Sequence, residues 1–171
     1  MPKTVVADEF GFAVKNAEMT LQGDHYVLNA EFDFALSMRA REALQNGIPL
    51  YWVMQVKVLQ HRDLLWNKSL VERSIRYKIQ YHALLNMYRV RNELTEQVTN
   101  FSTLTSALDE ISSLHNFTVI AQSELDQTSR YLAAVQVKLD RDALPLPLRP
   151  IAFVNPQWYL SSPWFVWSLK N

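Results

Sequence analysis

Between residues 49 and 92, apolar and polar side chains alternate with period two through three consecutive segments. Trp52, Met54, Val56 and Val58 fall on one side of the first segment, with Gln55 and Lys57 on the other. Ile75, Tyr77, Ile79, Tyr81 and Ala83 share one side of the second, opposite Arg76, Lys78, Gln80 and His82. The third is centred on residues 87–91. Successive side chains of a strand point to opposite faces, so this pattern specifies half-buried antiparallel strands and not helices. A slip of one residue would exchange the two faces, which fixes the register. Ile75, Tyr77, Ile79 and Tyr81 are therefore expected in the core, and Arg76, Lys78, Gln80 and His82 are expected to be substantially exposed.

The flanking sequence extends the same architecture. Residues 12–21 read as a strand with a register change near Asn16, and Gly23-Asp24 supplies a hairpin turn. Tyr26, Leu28, Ala30, Phe32 and Phe34 then alternate with Asn29, Glu31 and Asp33. A short helix over 37–46 is capped by Ser37 and closed by a left-handed Gly47, with Pro49 beyond. Leu104, Ala107, Leu108 and Ile111 stand at helical spacing behind Ser102 or Thr103, which predicts a second helix. Residues 117–120 and 131–139 return to strands. The prolines at 145, 147, 150 and 156 forbid regular pairing, so 143–157 is expected to be an extended connector. Residues 158–160 and 164–169 read as a closing strand pair. The fold class is all-β, an antiparallel two-sheet sandwich, immunoglobulin-like in general form, with two short helical inserts. One domain spans 1–171, with residues 1–10 expected to be a flexible N-terminal segment.

Composition supports a large core and excludes several chemistries. A chain of 171 residues can bury roughly 70% of its unfolded surface. Its 5 Trp, 7 Tyr and 8 Phe supply ample apolar volume. Lys plus Arg (17) equals Asp plus Glu (17), so no overall field draws nucleic acid. With no cysteine there is no disulfide, thiolate nucleophile or thiolate metal site. Three glycines argue against phosphate-cradling loops. No apolar run approaches the roughly 20 residues of a membrane-spanning helix. Residues 1–9 lack a signal-peptide core, so either the chain is cytoplasmic or a signal precedes this numbering.

No constellation marks a catalytic centre. His25, His61, His82 and His115 lack the spacing of a helical metal pair. The Ser161-Ser162-Pro163 corner lacks the glycines and neighbouring histidine of an activated serine. The acid pairs Asp8/Glu9, Asp109/Glu110 and Asp140/Asp142 read as solvated surface, and the last lacks the glycine and glutamate of a calcium loop. Asn67, Asn100 and Asn116 begin glycosylation acceptor triplets, which matter only in a eukaryotic secretory context. Basic and aromatic residues interleave at 73–78 and 88–91, but rings and cations alternate to opposite faces, so a solvated strand face is favoured over a nucleic-acid grip. Residues 144–150 can form a polyproline segment, yet leucines flank Pro145 and Pro147 as in a packed connector. At the C-terminus Trp164, Val166 and Ser168 face one way, and Phe165, Trp167 and Leu169 the other. A strand apolar on both faces is either central in the fold or touches something outside it.

The ordered set of Tyr26–Ala30, Glu42–Leu50, Arg62 with Leu65-Trp66, Tyr77–Leu84 with Tyr88–Val90, residues 101–108, 139–148 and 158–167 resembles the proteobacterial family catalogued as domain of unknown function 4390. The resemblance covers nearly the whole chain. It implies a Gram-negative protein exported through an N-terminal signal that this chain lacks, and hence a periplasmic location. It also implies relatives encoded near a nitrogen-regulation type sensor kinase, and it supplies no catalytic residues.

The expectation is a non-enzymatic periplasmic sandwich that binds a protein partner, such as an envelope component or a membrane sensor kinase. Trp158, Tyr159, Trp164 and Trp167 are its candidate partner-binding surface. No cofactor, metal, nucleic acid or transmembrane segment is expected. One alternative is a carrier of a small apolar ligand or lipid between the sheets. The other is an enzyme using His82 or His61 with an acid within hydrogen-bond reach.

Overall fold

The computed structural model describes residues 9–170. The expected flexible segment therefore lies outside the described residues, apart from the exposed Glu9 and Phe10. The elements are β1 (Gly11–Gln22), β2 (His25–Ala35), α1 (Met38–Gln45), β3 (Leu50–Gln60), β4 (Lys68–His82), β5 (Met87–Asn92), β6 (Val98–Phe101), α2 (Leu104–Ile111), β7 (Ser113–Ala121), β8 (Tyr131–Leu139), α3 (Arg149–Val154) and β9 (Phe165–Leu169). Single 3-10 turns lie at Gln122–Glu124, Arg141–Ala143 and Pro156–Trp158.

Two antiparallel sheets form the expected sandwich. One runs β1-β2-β7 and the other β6-β5-β4-β3-β8-β9. The likeness to an immunoglobulin domain stops at two facing antiparallel sheets, since three strands oppose six instead of the usual three opposing four. β1 lies against β8 and β9, and β7 against β4. The larger sheet therefore overhangs at β5 and β6, where α2 covers it with the buried Ala107 and Ile111.

The alternation at 49–92 sets the inner face. Leu50 pairs with Ile79, Trp52 with Tyr77 and Met54 with Ile75. Ile75 and Ile79 are buried, but Tyr77 and Tyr81 are only half-buried. Tyr81 lies near the end of its strand, against the ring of Tyr88 at 4.8 Å. The opposite face also departs from expectation, because Arg76, Lys78, Gln80 and His82 are half-buried and not fully exposed. Long side chains lie flat on this sheet instead of extending into water. The Arg76 guanidinium stacks 4.2 Å from the Tyr51 ring centre and meets Asp140 at 3.3 Å and Glu93 at 3.7 Å. Gln80 donates to the Gly47 carbonyl at 3.2 Å.

α1 closes one end of the sandwich as expected. Ser37 Oγ accepts from Ala40 N at 3.2 Å and donates to the Gln157 carbonyl at 2.6 Å, so one hydroxyl caps the helix and ties it to a later turn. Ala40, Ala43 and Leu44 face inward and are buried. At the other end, Gly47 N donates to Leu44 O and Ile48 N to Ala43 O, with Gly47 left-handed at φ +79. A Cβ at Gly47 would meet only Tyr81 O, at an ordinary 3.8 Å, so a side chain is penalised by backbone conformation alone. Gly47→Val is expected to destabilise by about 1–2 kcal/mol, read as a lower urea midpoint at unchanged slope. An unchanged midpoint would mean that the helix does not end this way in solution.

The chain from 140 onward differs most from expectation. Residues 143–157 form no strand, as the prolines require, but they are not extended. Pro150 sits in the first turn of α3, where a missing N–H costs nothing, and Pro156 starts a 3-10 turn. Residues 158–160 and 164–169 do not pair with each other. Leu160 O accepts from Leu139 N, Ser162 N donates to Val137 O, and β9 continues along the same side of β8. β9 is thus an edge strand and not a central one.

Candidate functional site

The four aromatic residues singled out by the sequence do not form one surface. Trp158 is a core residue at 4% exposure. Trp167 points inward beside Phe165, with ring centres 5.7 Å apart, and is half-buried. Trp164 lies on the outer face of the large sheet, where the Lys57 ammonium sits 4.7 Å from its ring centre. Of the four, Tyr159 alone joins a larger exposed apolar patch.

That patch is built by residues 141–159. Leu144, Ala152 and Trp158 are buried and pin the segment to the core. Leu148 and Ala152, four apart, direct one side of α3 inward, so Ile151 and Val154 project outward. Leu146, Ile151, Phe153, Val154 and Tyr159 are all exposed. The Tyr159 hydroxyl donates to the Phe153 carbonyl, which fixes the two residues relative to each other. The Arg141 guanidinium lies 4.4 Å from the Tyr159 ring centre and 4.9 Å from that of Phe153, and it donates to Ala152 O at 3.4 Å. Each exposed cation–π contact contributes about 0.5–1 kcal/mol, enough to hold an arginine otherwise free to roam. The result is an ordered arginine–tyrosine–phenylalanine surface rimmed by aliphatic side chains. Interface centres are enriched in these residue types.

The titratable groups are arranged differently. His61 Nε2 lies 3.2 Å from Asp63, so an acid is within reach of that ring, but Arg130 holds the same carboxylate at 3.1 Å. The site lies on an exposed hairpin tip with Asp63 three-quarters exposed, so nothing there excludes water. His25 lies 2.7 Å from Asp24, whose carboxyl is held below its ordinary range first by that hydrogen bond. His82 is half-buried, and its Nε2 is enclosed without a partner. Between β4 and β7 runs an open groove of about 1100 Å³ lined by Arg73, Tyr77, Glu110, His115, Asn116 and Thr118 among others. Burial there, and then the nearby Glu110, holds the Tyr77 phenol above its ordinary range.

A void lined by Leu28, Phe32, Met54 and Val135 measures about 10 Å³, too small for a lipid chain. Among the described residues, no three His, Asp or Glu side chains gather as a metal site. No described helix is long and apolar enough to cross a membrane.

The fold and this surface define a two-sheet β-sandwich carrying an ordered arginine–aromatic patch at one end. The model of the family described as "Domain of unknown function (DUF4390)" matches residues 9–168, and the chain belongs to that family. No curated protein and no solved structure matches it.

Proposed function

We propose that the protein is a non-enzymatic, periplasmic accessory module that binds a protein partner, an envelope component or a membrane sensor, through the patch around Arg141. The observation that carries this reading is the pair of exposed rings, Phe153 and Tyr159, each 47% exposed and both held by one guanidinium. An exposed aromatic pair already fixed in place loses little conformational freedom on binding, which is the property of an interface anchor. The surrounding Leu146, Ile151 and Val154 extend the apolar area, and single exposed residues elsewhere would need no explanation. The periplasmic placement follows from what the family resemblance implies.

The test is capture from envelope extract, with the captured protein identified by mass spectrometry and compared across variants. Phe153→Ser and Val154→Asp change exposed side chains, so their melting temperatures should stay near that of the parent. Both variants are expected to lose the same identified protein by about tenfold or more, the effect of removing one interface anchor. Undiminished capture by both variants would rule out this surface.

A further inference from the structure

The hairpin joining β3 to β4 ends in three adjacent apolar side chains that are largely exposed. Leu64 is 96% exposed, Leu65 67% and Trp66 93%. Neither the turn nor the register asks for them, because a β-hairpin tip is built equally well from polar residues. They project from a convex tip, so a rigid protein partner would need a matching pocket for each. The acyl boundary of a bilayer accepts such side chains without shape complementarity, and Trp favours that interface.

The charges around the tip supply the complementary argument. Arg62 and Lys68 bracket the apolar triplet, and both are exposed. Asp63, the one acid within the loop, is drawn back from the tip by His61 at 3.2 Å and Arg130 at 3.1 Å. The other acids at this end of the sandwich, Asp24, Glu124 and Asp126, belong to the β1–β2 turn and the β7–β8 connection. Asp126 accepts from Thr128, through both its N–H and its hydroxyl, and Glu124 accepts from Ala121 N. These bonds hold the two carboxylates in their own loop without removing their charge, so the cations nearest the apolar triplet are Arg62 and Lys68. A cationic collar below an apolar point fits a surface that is apolar inside and anionic at its headgroups.

We propose that residues 62–68 form a membrane-touching tip that inserts Leu64, Leu65 and Trp66 into the interfacial layer of an anionic bilayer. β3 is 11 residues long, so the tip stands about 35 Å from the Arg141 patch at the opposite end of the sheet. A molecule docked by the tip therefore presents the patch away from the lipid.

The experiment is co-sedimentation of the full chain with phosphatidylcholine vesicles, with and without a minority of phosphatidylglycerol. The parent protein is expected to bind the mixed vesicles and to lose that binding as salt is raised. Leu64→Ser, Leu65→Ser and Trp66→Ser combined should weaken binding by about tenfold or more, as loss of the inserted apolar area requires. Arg62→Glu with Lys68→Glu should weaken it while leaving the melting temperature near that of the parent. No binding of the parent to mixed vesicles, or equal binding by the triple variant, overturns the proposal. Equal binding to both kinds of vesicle overturns the role of the collar. If the parent ignores vesicles but the triple variant loses a captured protein, the tip docks protein and the lipid reading fails. Phe153→Ser should keep full vesicle binding, so failure at this tip stays separate from failure of the Arg141 patch.

Discussion

Trp52→Ala is expected to destabilise the protein by about 3–5 kcal/mol, the range for removing a fully buried large ring. Trp52 has no exposed surface and occupies the inner face of β3, between its register partners Tyr77 on β4 and Leu139 on β8. Across the sandwich it stacks on Phe12 from β1, at 6.3 Å and 17°, and meets Phe34 from β2 edge-on at 6.5 Å. Truncation therefore opens a cavity where the two sheets meet, with rigid strand backbone on both sides. Little collapse can refill it. The indole Nε1 is enclosed without a partner, so the ring contributes through packing and not through a hydrogen bond. Trp52→Phe keeps most of the volume and removes an unpaired donor, and its cost should stay below about 1.5 kcal/mol. Urea unfolding of both variants measures the difference. A cost for Ala below that for Phe would mean that the sheets do not meet through this residue.

Ile79→Ala should cost about 2–5 kcal/mol, whereas the adjacent Lys78→Ala should change stability by roughly 0.5 kcal/mol or less. Ile79 is fully buried opposite Leu50 and Val90, in the middle of three strands. Lys78 lies on the other face between Tyr51 and Arg91 and forms no ion pair among the described residues. Its half-burial covers the aliphatic stem, and its register partner Arg91 carries the same sign, so loss of the ammonium leaves no acid unpaired. The ordering of the two midpoints is the decisive reading. A larger loss at Lys78 would turn the outer face of β4 into a structural or binding surface.

The parts of the fold legible in the sequence were those in which one local rule acts without competition. The alternation at 50–60 and 68–82 specified β3, β4 and their register, because a slip would have exchanged Ile79 with Lys78. Ser37 and Gly47 marked both ends of α1, and the register change near Asn16 appears as a bulge between Val14 and Asn16. The outer face of β4 was misjudged because exposure of long side chains depends on their neighbours. Tyr51, Glu93 and Asp140 come from β3, from the turn after β5 and from beyond β8. α3 was hidden by Pro150, which looks like a breaker but stands in the first helical turn. The Arg141 patch was missed for the same reason. Phe153 and Arg141 become neighbours only once that helix forms. The aromatic-rich C-terminal third directed attention to Tyr159, which belongs to the patch, together with Trp158, which anchors it from below, and Trp164 and Trp167, which lie elsewhere.

β9 reads Phe165-Val-Trp-Ser-Leu169, an uncharged apolar run of the kind that seeds cross-β stacking when its edge is free. As the last strand of the larger sheet it keeps such an edge, and Val166 on its outer side is half exposed. Its hazard is limited by its boundaries. Pro163 lacks the N–H that would carry a ladder toward Leu160, and Lys170 places a charge directly after the last pair. Between these two gatekeepers β9 itself contributes only five paired residues, which limits the ladder that a second chain could add. β7, at the open side of the smaller sheet, is guarded by other means. It is kinked by two register shifts and a left-handed Asn116, and Arg73 occupies the Val119 carbonyl that an incoming strand would need. The apolar strand β9 is thus bounded by a proline and a lysine at its ends, and among the described residues no further strand pairs with its outer edge.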